Sequence, residues 1–173
     1  MIAESTAFCD GFQVSLLIAA NGTARLGISL ADHVWSATLR DDSASVVADL
    51  LGCCNAIIDN TPHNQPFHSD PVDHVWKLSP DPVMRHLVRL QIIGTGADNS
   101  GDTGRNPHSA RIDFVTKRKY LVSCIMMELW KMKLLYADTA FHKDRPDFPH
   151  TLFSTTFIRW TQSNIATPLS EGS

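Results

Sequence analysis

The densest run of chemically capable side chains lies between Pro62 and His74, where His63, His68 and His74 share a short segment with Asp70 and Asp73. Imidazole nitrogens and carboxylates converging from one loop suit zinc or another divalent cation. Such an ion would lower the pKa of a bound water, and Asp70 or Asp73 would accept its proton in a hydrolysis. Metal sites, however, draw their ligands mostly from rigid strands or helices, and the run matches no spaced motif such as a helical His-Glu-x-x-His. A polar loop that carries histidines is the plainer reading. A metal-dependent hydrolase using residues 63–74 is therefore kept as the alternative function, and no cofactor as the leading expectation.

A second cluster is basic. Lys117, Arg118 and Lys119 fall in the first turn of an expected helix, where the helix dipole disfavours positive charge. With Arg111 they form a candidate anion-binding set for phosphate or an acidic partner. No aromatic residues interleave with them to stack bases, so nucleic acid is not the expected partner, and a solvated basic face is the plain reading. Cys53 and Cys54 are adjacent within an apolar helical pattern, which suits buried packing better than a nucleophile or a disulfide framework. Gly94-Thr95-Gly96 lacks the third glycine of a dinucleotide loop. Asp98-Asn99-Ser100-Gly101-Asp102 lacks the glycine and closing glutamate of a calcium loop. Met126, Met127 and Trp130 could line a ligand pocket, but beside leucines at helical spacing they read as packing residues.

The elements that must position these groups follow from periodicity. Phe12, Val14, Leu16 and Ile18 alternate, as do Leu26, Ile28 and Leu30 after Asn21-Gly22, which predicts a hairpin with a type I′ turn. Trp35, Ala37 and Leu39 add a third strand. Asp41, Asp42 and Ser43 offer N-cap oxygens to a first helix over 43–59, stopped by Asn60 and Pro62. The proline-rich residues 60–73 are expected to lack regular structure. A short strand follows at 74–78, a longer one at 84–93 and another around Ile112 and Phe114, with a flexible excursion at 94–109. Thr116 is expected to cap a second helix presenting Leu121, Cys124, Ile125, Leu129, Met132 and Leu135 on one face. A short helix after Pro149 and a frayed tail beyond about residue 162 complete the chain. The order βββαβββα predicts an α+β fold with a mostly antiparallel sheet and both main helices on one face.

With 173 residues, 43% of them hydrophobic and 19% charged, the chain suits one domain spanning 1–173 that folds without metal or disulfide staples. It has no Lys or Arg before Arg25 and no apolar run near the roughly 20 residues that cross a bilayer, so a cytoplasmic protein without a membrane partner is expected. The net charge of −3 hides an asymmetry: residues 1–84 carry ten acids and three bases, whereas residues 85–173 carry eight acids and twelve bases. Segregated charge of this kind marks an interaction surface.

The hairpin start from Phe12 to Leu30, Ala48-Asp49-Leu50-Leu51, Val75-Trp76-Lys77-Leu78 and Asp147-Phe148-Pro149 together resemble small bacterial α+β proteins encoded as immunity partners of secreted toxins. The resemblance implies a non-catalytic, protein-binding inhibitor and supplies no catalytic residues. On that reading Asp41, Asp42, Asp49, Asp59, Asp70 and Asp73 would meet a basic toxin or enzyme, with a structural or adaptor subunit as a further alternative.

Overall fold

The computed structural model describes residues 8–163 apart from Asp10, Ala20, Asp32 and 96–109. The Gly/Asn/Asp excursion beyond Thr95 and the tail after Ser163 therefore lie outside the described residues. The elements run β1 (Gln13–Ile18), β2 (Thr23–Ser29), β3 (Val34–Asp42), α1 (Ser43–Asp59), β4 (His63–Phe67), β5 (Ser69–Asp70), β6 (His74–Pro80), β7 (Leu87–Gly94), β8 (Ala110–Lys117), α2 (Arg118–Tyr136), α3 (Thr139–His142) and α4 (His150–Gln162). The α+β class and its antiparallel pairing are as the sequence predicts, but the strands form two sheets, ordered β1-β2-β3-β5 and β4-β6-β7-β8.

The point where the sheets meet explains the departure from one sheet. Residues 60–73 are not irregular: β4 pairs with β6 from His63↔Leu78 to Phe67↔His74, and β5 then pairs with β3 at Leu39↔Ser69 and Thr38↔Asp70. One extended stretch thus passes from one sheet to the other across His68, whose carbonyl accepts the Arg40 N–H at 2.7 Å. Its side chains are polar and it includes Pro66, so alternation gives no signal; β4 sits at a sheet edge, where proline is tolerated. Phe67 plugs the crossing. Its ring lies 5.3 Å from that of Trp76, which in turn lies 6.1 Å from Trp35 of β3, so aromatic contacts join the two sheets.

Several local expectations hold and others shift. In the β1–β2 connection Gly22 takes positive φ (82°) and its N–H donates to the Ala19 carbonyl, so the hydrogen-bonded turn closes at Gly22 and does not have Asn21-Gly22 as its central pair. Asp42 caps α1 by accepting the Ser45 N–H at 2.8 Å. Asn60, in the left-handed region (φ 56°), ends the helix in the manner common for αL caps. Thr116 does not cap α2. Strand β8 runs through it to Lys117, which offers no side-chain cap, and Thr116 is buried.

Helices α1 and α2 pack side by side and antiparallel. At one end Ser43 Oγ lies 3.0 Å from Tyr136 Oη; at the other Arg118 donates from Nε and Nη2 to the Ile57 carbonyl and from Nη2 to that of Ile58. The free long side of β1 lies against α2, where Glu128 accepts the Leu16 N–H at 3.1 Å. This closes an edge that would otherwise expose unpaired backbone. Val14, Leu26, Leu50, Cys54, Leu90, Phe114, Ile125 and Leu129 contribute to one continuous buried cluster drawn from both sheets and these helices. None of the helices among the described residues is long and apolar enough to cross a membrane.

Candidate interaction face

The six aspartates expected to form one acidic face are not gathered into one. Asp42 and Asp59 sit at opposite ends of α1, about 25 Å apart at 1.5 Å per residue. Asp42 is the N-cap, and Asp59 accepts from Arg159 Nη2 at 2.6 Å. Asp73 accepts from Arg40 Nη2 at 2.5 Å and from the Ser69 N–H at 3.0 Å, and lies 3.3 Å from His68 Nδ1. The Ser69 N–H, followed by the Arg40 and His68 contacts, holds its carboxyl below the ordinary range. Asp41, Asp49 and Asp70 are left near the β3–β5 crossing, where Arg40, His63 and His68 make the local charge mixed.

Burial pushes the Asp49 carboxyl up, and Asp41 adds to the shift, against the opposing influence of Gln65, His63 and His68. A carboxyl raised in the folded state contributes stability that is present below its unfolded pKa and lost as pH rises through the folded value. Asp49→Asn is therefore expected to raise the melting temperature at about pH 7 and to leave it unchanged near about pH 3, measured by calorimetry at the two pH values. A drop in melting temperature at neutral pH would refute this assignment.

The histidines of the same segment are spread along the strand. His63 and His74 face opposite ends of β4, about 13 Å apart at 3.3 Å per residue. His63 Nε2 lies 3.3 Å from Gln65 Oε1 and His74 Nδ1 lies 2.9 Å from Ser69 Oγ. Burial, reinforced by Arg111, lowers the His74 pKa, against the pull of Asp73. Among the described residues no three His, Cys, Asp or Glu side chains converge as a metal would require. Cys53 and Cys54 are buried, and burial pushes both thiols up, away from the thiolate that a nucleophile needs.

The basic set also divides. Arg111 and Lys117 stand near opposite ends of β8, about 20 Å apart. Arg118 is withdrawn from the surface, and its guanidinium is committed to the carbonyls of Ile57, Ile58 and Arg85. This resolves the unfavourable charge at the start of α2: the cation serves the carbonyl end of α1, where positive charge is favourable.

The surface that stands out is one that sequence periodicity set aside. Helix α2 buries Leu121, Val122, Ile125, Met126, Leu129, Met132 and Tyr136, a face rotated from the expected one, with Leu135 exposed and Cys124 half-buried. Opposite the buried face, Met127 and Leu134 are 62% and 60% exposed, and Trp130 lies between them at 37%. The spacing i, i+3, i+7 makes these three a continuous row. Helix α4 extends it. Docked on α1 through Asn55–Thr156 and Asp59–Arg159, it sets Phe153 and Phe157 with ring centroids 5.9 and 5.1 Å from that of Trp130. Lys133 Nζ lies 5.2 Å from the Trp130 centroid, within cation–π range.

The charge left over on this face is positive. Of the charged groups of α2 and α4, Arg118 is turned onto the α1 carbonyls, Arg159 pairs with Asp59, and Glu128 is engaged by the Leu16 N–H and by Lys131, which leaves Lys119 and Lys133. Comparison with protein-family models, curated proteins and solved structures gives no match. The chemistry of the face therefore carries the functional argument alone.

A separate open cleft of about 560 Å³ lies between the end of α2 and the start of α4, lined by Tyr136, His142, Asp147, Phe148 and His150. His142 Nε2 is 2.7 Å from Asp147 Oδ1, but the aspartate is 91% exposed and the pair is screened by water. The Tyr136 hydroxyl is already bonded to Ser43. The cleft thus presents a solvent-exposed imidazole and carboxylate pair whose neighbouring tyrosine hydroxyl is engaged elsewhere.

Proposed function

We propose that the protein is a protein-binding module whose contact centre is the outer face of α2 with the adjoining edge of α4. The immunity-type inhibitor implied by the sequence resemblance is the sharper form of this reading. The observation that carries it is the exposed row Met127–Trp130–Leu134, seated on the aromatic rings of α4. Binding energy concentrates at well-packed aromatic and apolar anchors, and Trp is the residue most enriched there. A helix that is apolar on both sides calls for cover on both.

The test is capture of partners by the tagged protein from its native lysate, run beside Met127→Asp/Leu134→Asp, whose sites are exposed enough to leave the fold intact. One stoichiometric partner is expected with the parent protein, reduced about tenfold or more with the variant, a loss of at least about 1.4 kcal/mol. Charge reversal at Asp41 and Asp70 is expected to leave capture unchanged. Partner retention by the apolar-row variant, with loss on charge reversal, would move the contact to the β3–β5 crossing.

A further inference from the structure

We infer that the α2/α4 face receives an acidic amphipathic helix from a different protein, an inference that rests on the protein-binding reading and specifies its partner. The apolar row runs straight along α2, with Met127 and Leu134 about 10 Å apart along the axis. That geometry matches the i, i+3, i+4, i+7 anchors of a helix lying in a groove. A partner strand is disfavoured because this face consists of helix side chains and offers no unpaired backbone ladder to extend.

Charge selects the sign of the partner. Lys133 lies over the Trp130 and Phe153 rings, and the exposed Lys119 stands about three turns before Trp130 on the same side of α2. The only carboxylate of either helix is already engaged. Acidic side chains flanking apolar anchors would meet these ammonium groups, which speeds encounter and rejects basic competitors. A second copy of this chain fits poorly: an isologous contact sets the same patch against itself, bringing together two faces whose remaining charges, Lys119 and Lys133, have the same sign. A lipid surface also fits poorly. Trp130 packs at a tilt against Phe153 and Phe157, with interplanar angles of 49° and 36°, and is held there instead of projecting as a wedge. The few lysines would each contribute only about 1 kcal/mol to an anionic membrane.

The probe is a labelled peptide of about 18 residues with Leu at the helical anchor positions and Glu elsewhere, beside a counterpart with Lys in place of Glu. Fluorescence anisotropy against the intact protein is followed at about 50 mM and about 500 mM salt. Saturable binding of the Glu peptide is expected, about tenfold tighter than the Lys peptide and weakened about tenfold by Met127→Asp, by Lys119→Glu/Lys133→Glu and by the higher salt. Equal affinity for the two peptides, or none for the Glu peptide, overturns the acidic helix. So does binding only to vesicles of phosphatidylcholine and phosphatidylglycerol, or a dimer that Met127→Asp dissolves in light scattering. A lysate partner that depends on Met127 and Leu134, together with a silent Glu peptide, removes this inference and leaves the interaction face standing. A lysate partner indifferent to both residues removes the face itself.

Discussion

Replacement of Trp76 by Ala is expected to lower stability by about 4 kcal/mol, read as the shift in a urea unfolding midpoint at unchanged slope. Trp76 is fully buried in β6, and its ring contacts Phe67 of β4 and Trp35 of β3. Removing it therefore opens a cavity where β4 passes to β5 and loosens the aromatic contact between the two sheets. Trp76→Phe is expected to cost only about 1 kcal/mol. The smaller ring still leaves a gap, but the indole Nε1–H, which is buried and meets no acceptor among the described residues, disappears with the substitution. A loss below about 1 kcal/mol for the alanine variant would show that the aromatic contacts do not hold the sheets together.

The same junction marks the boundary of what the sequence makes legible. Helix α1 is readable to the residue because its polar cap, its apolar period and its αL stop all agree. The hairpin of β1 and β2 is readable because one face is buried and the other wet. Strands β4 and β5 are not, since His63, Asn64, Gln65 and Pro66 carry no alternation of hydrophobicity and owe their extended form to pairing with distant β6. Binary pattern tells which side of a strand faces inward. It does not tell where one ladder ends and another begins, so two sheets read as one.

Helix α2 shows the same limit in the candidate site. Its apolar residues occur on both sides, so periodicity cannot choose which side meets the core, and Met127 and Trp130 pass for packing residues. The choice is made by tertiary context: β1 and α1 take one side, and α4 brings Phe153 and Phe157 up to Trp130. The aspartates mislead for the opposite reason. A formal charge counts equally in sequence whether it faces a partner or caps a helix, and Asp42, Asp59 and Asp73 are engaged within the fold.

Arg118 carries the second large effect, and its role is legible only as an anomaly, a cation at the wrong end of a helix dipole. Its side chain is 9% exposed, and its donors reach three carbonyls, two of them belonging to the last turn of α1. Burial lowers its pKa, against the influence of Asp59, and among the described residues its bonding partners are carbonyls. The charge is held instead by carbonyl dipoles, of which that of Ile57 also accepts the Asn60 N–H at 3.2 Å. Arg118→Ala is expected to cost about 3 kcal/mol, because hydrogen bonds from one charged group to three carbonyls are lost together. In a protein of this size that amounts to a fall of roughly 6–12 °C in melting temperature, measurable by calorimetry. Arg118→Lys keeps the charge but cannot span the Ile57, Ile58 and Arg85 carbonyls with one nitrogen, so about half the loss should remain. A lysine variant as stable as the parent would mean that charge alone suffices. An alanine variant within about 0.5 kcal/mol of the parent would mean that α1 and α2 are held by their apolar contact and need no clamp at this end.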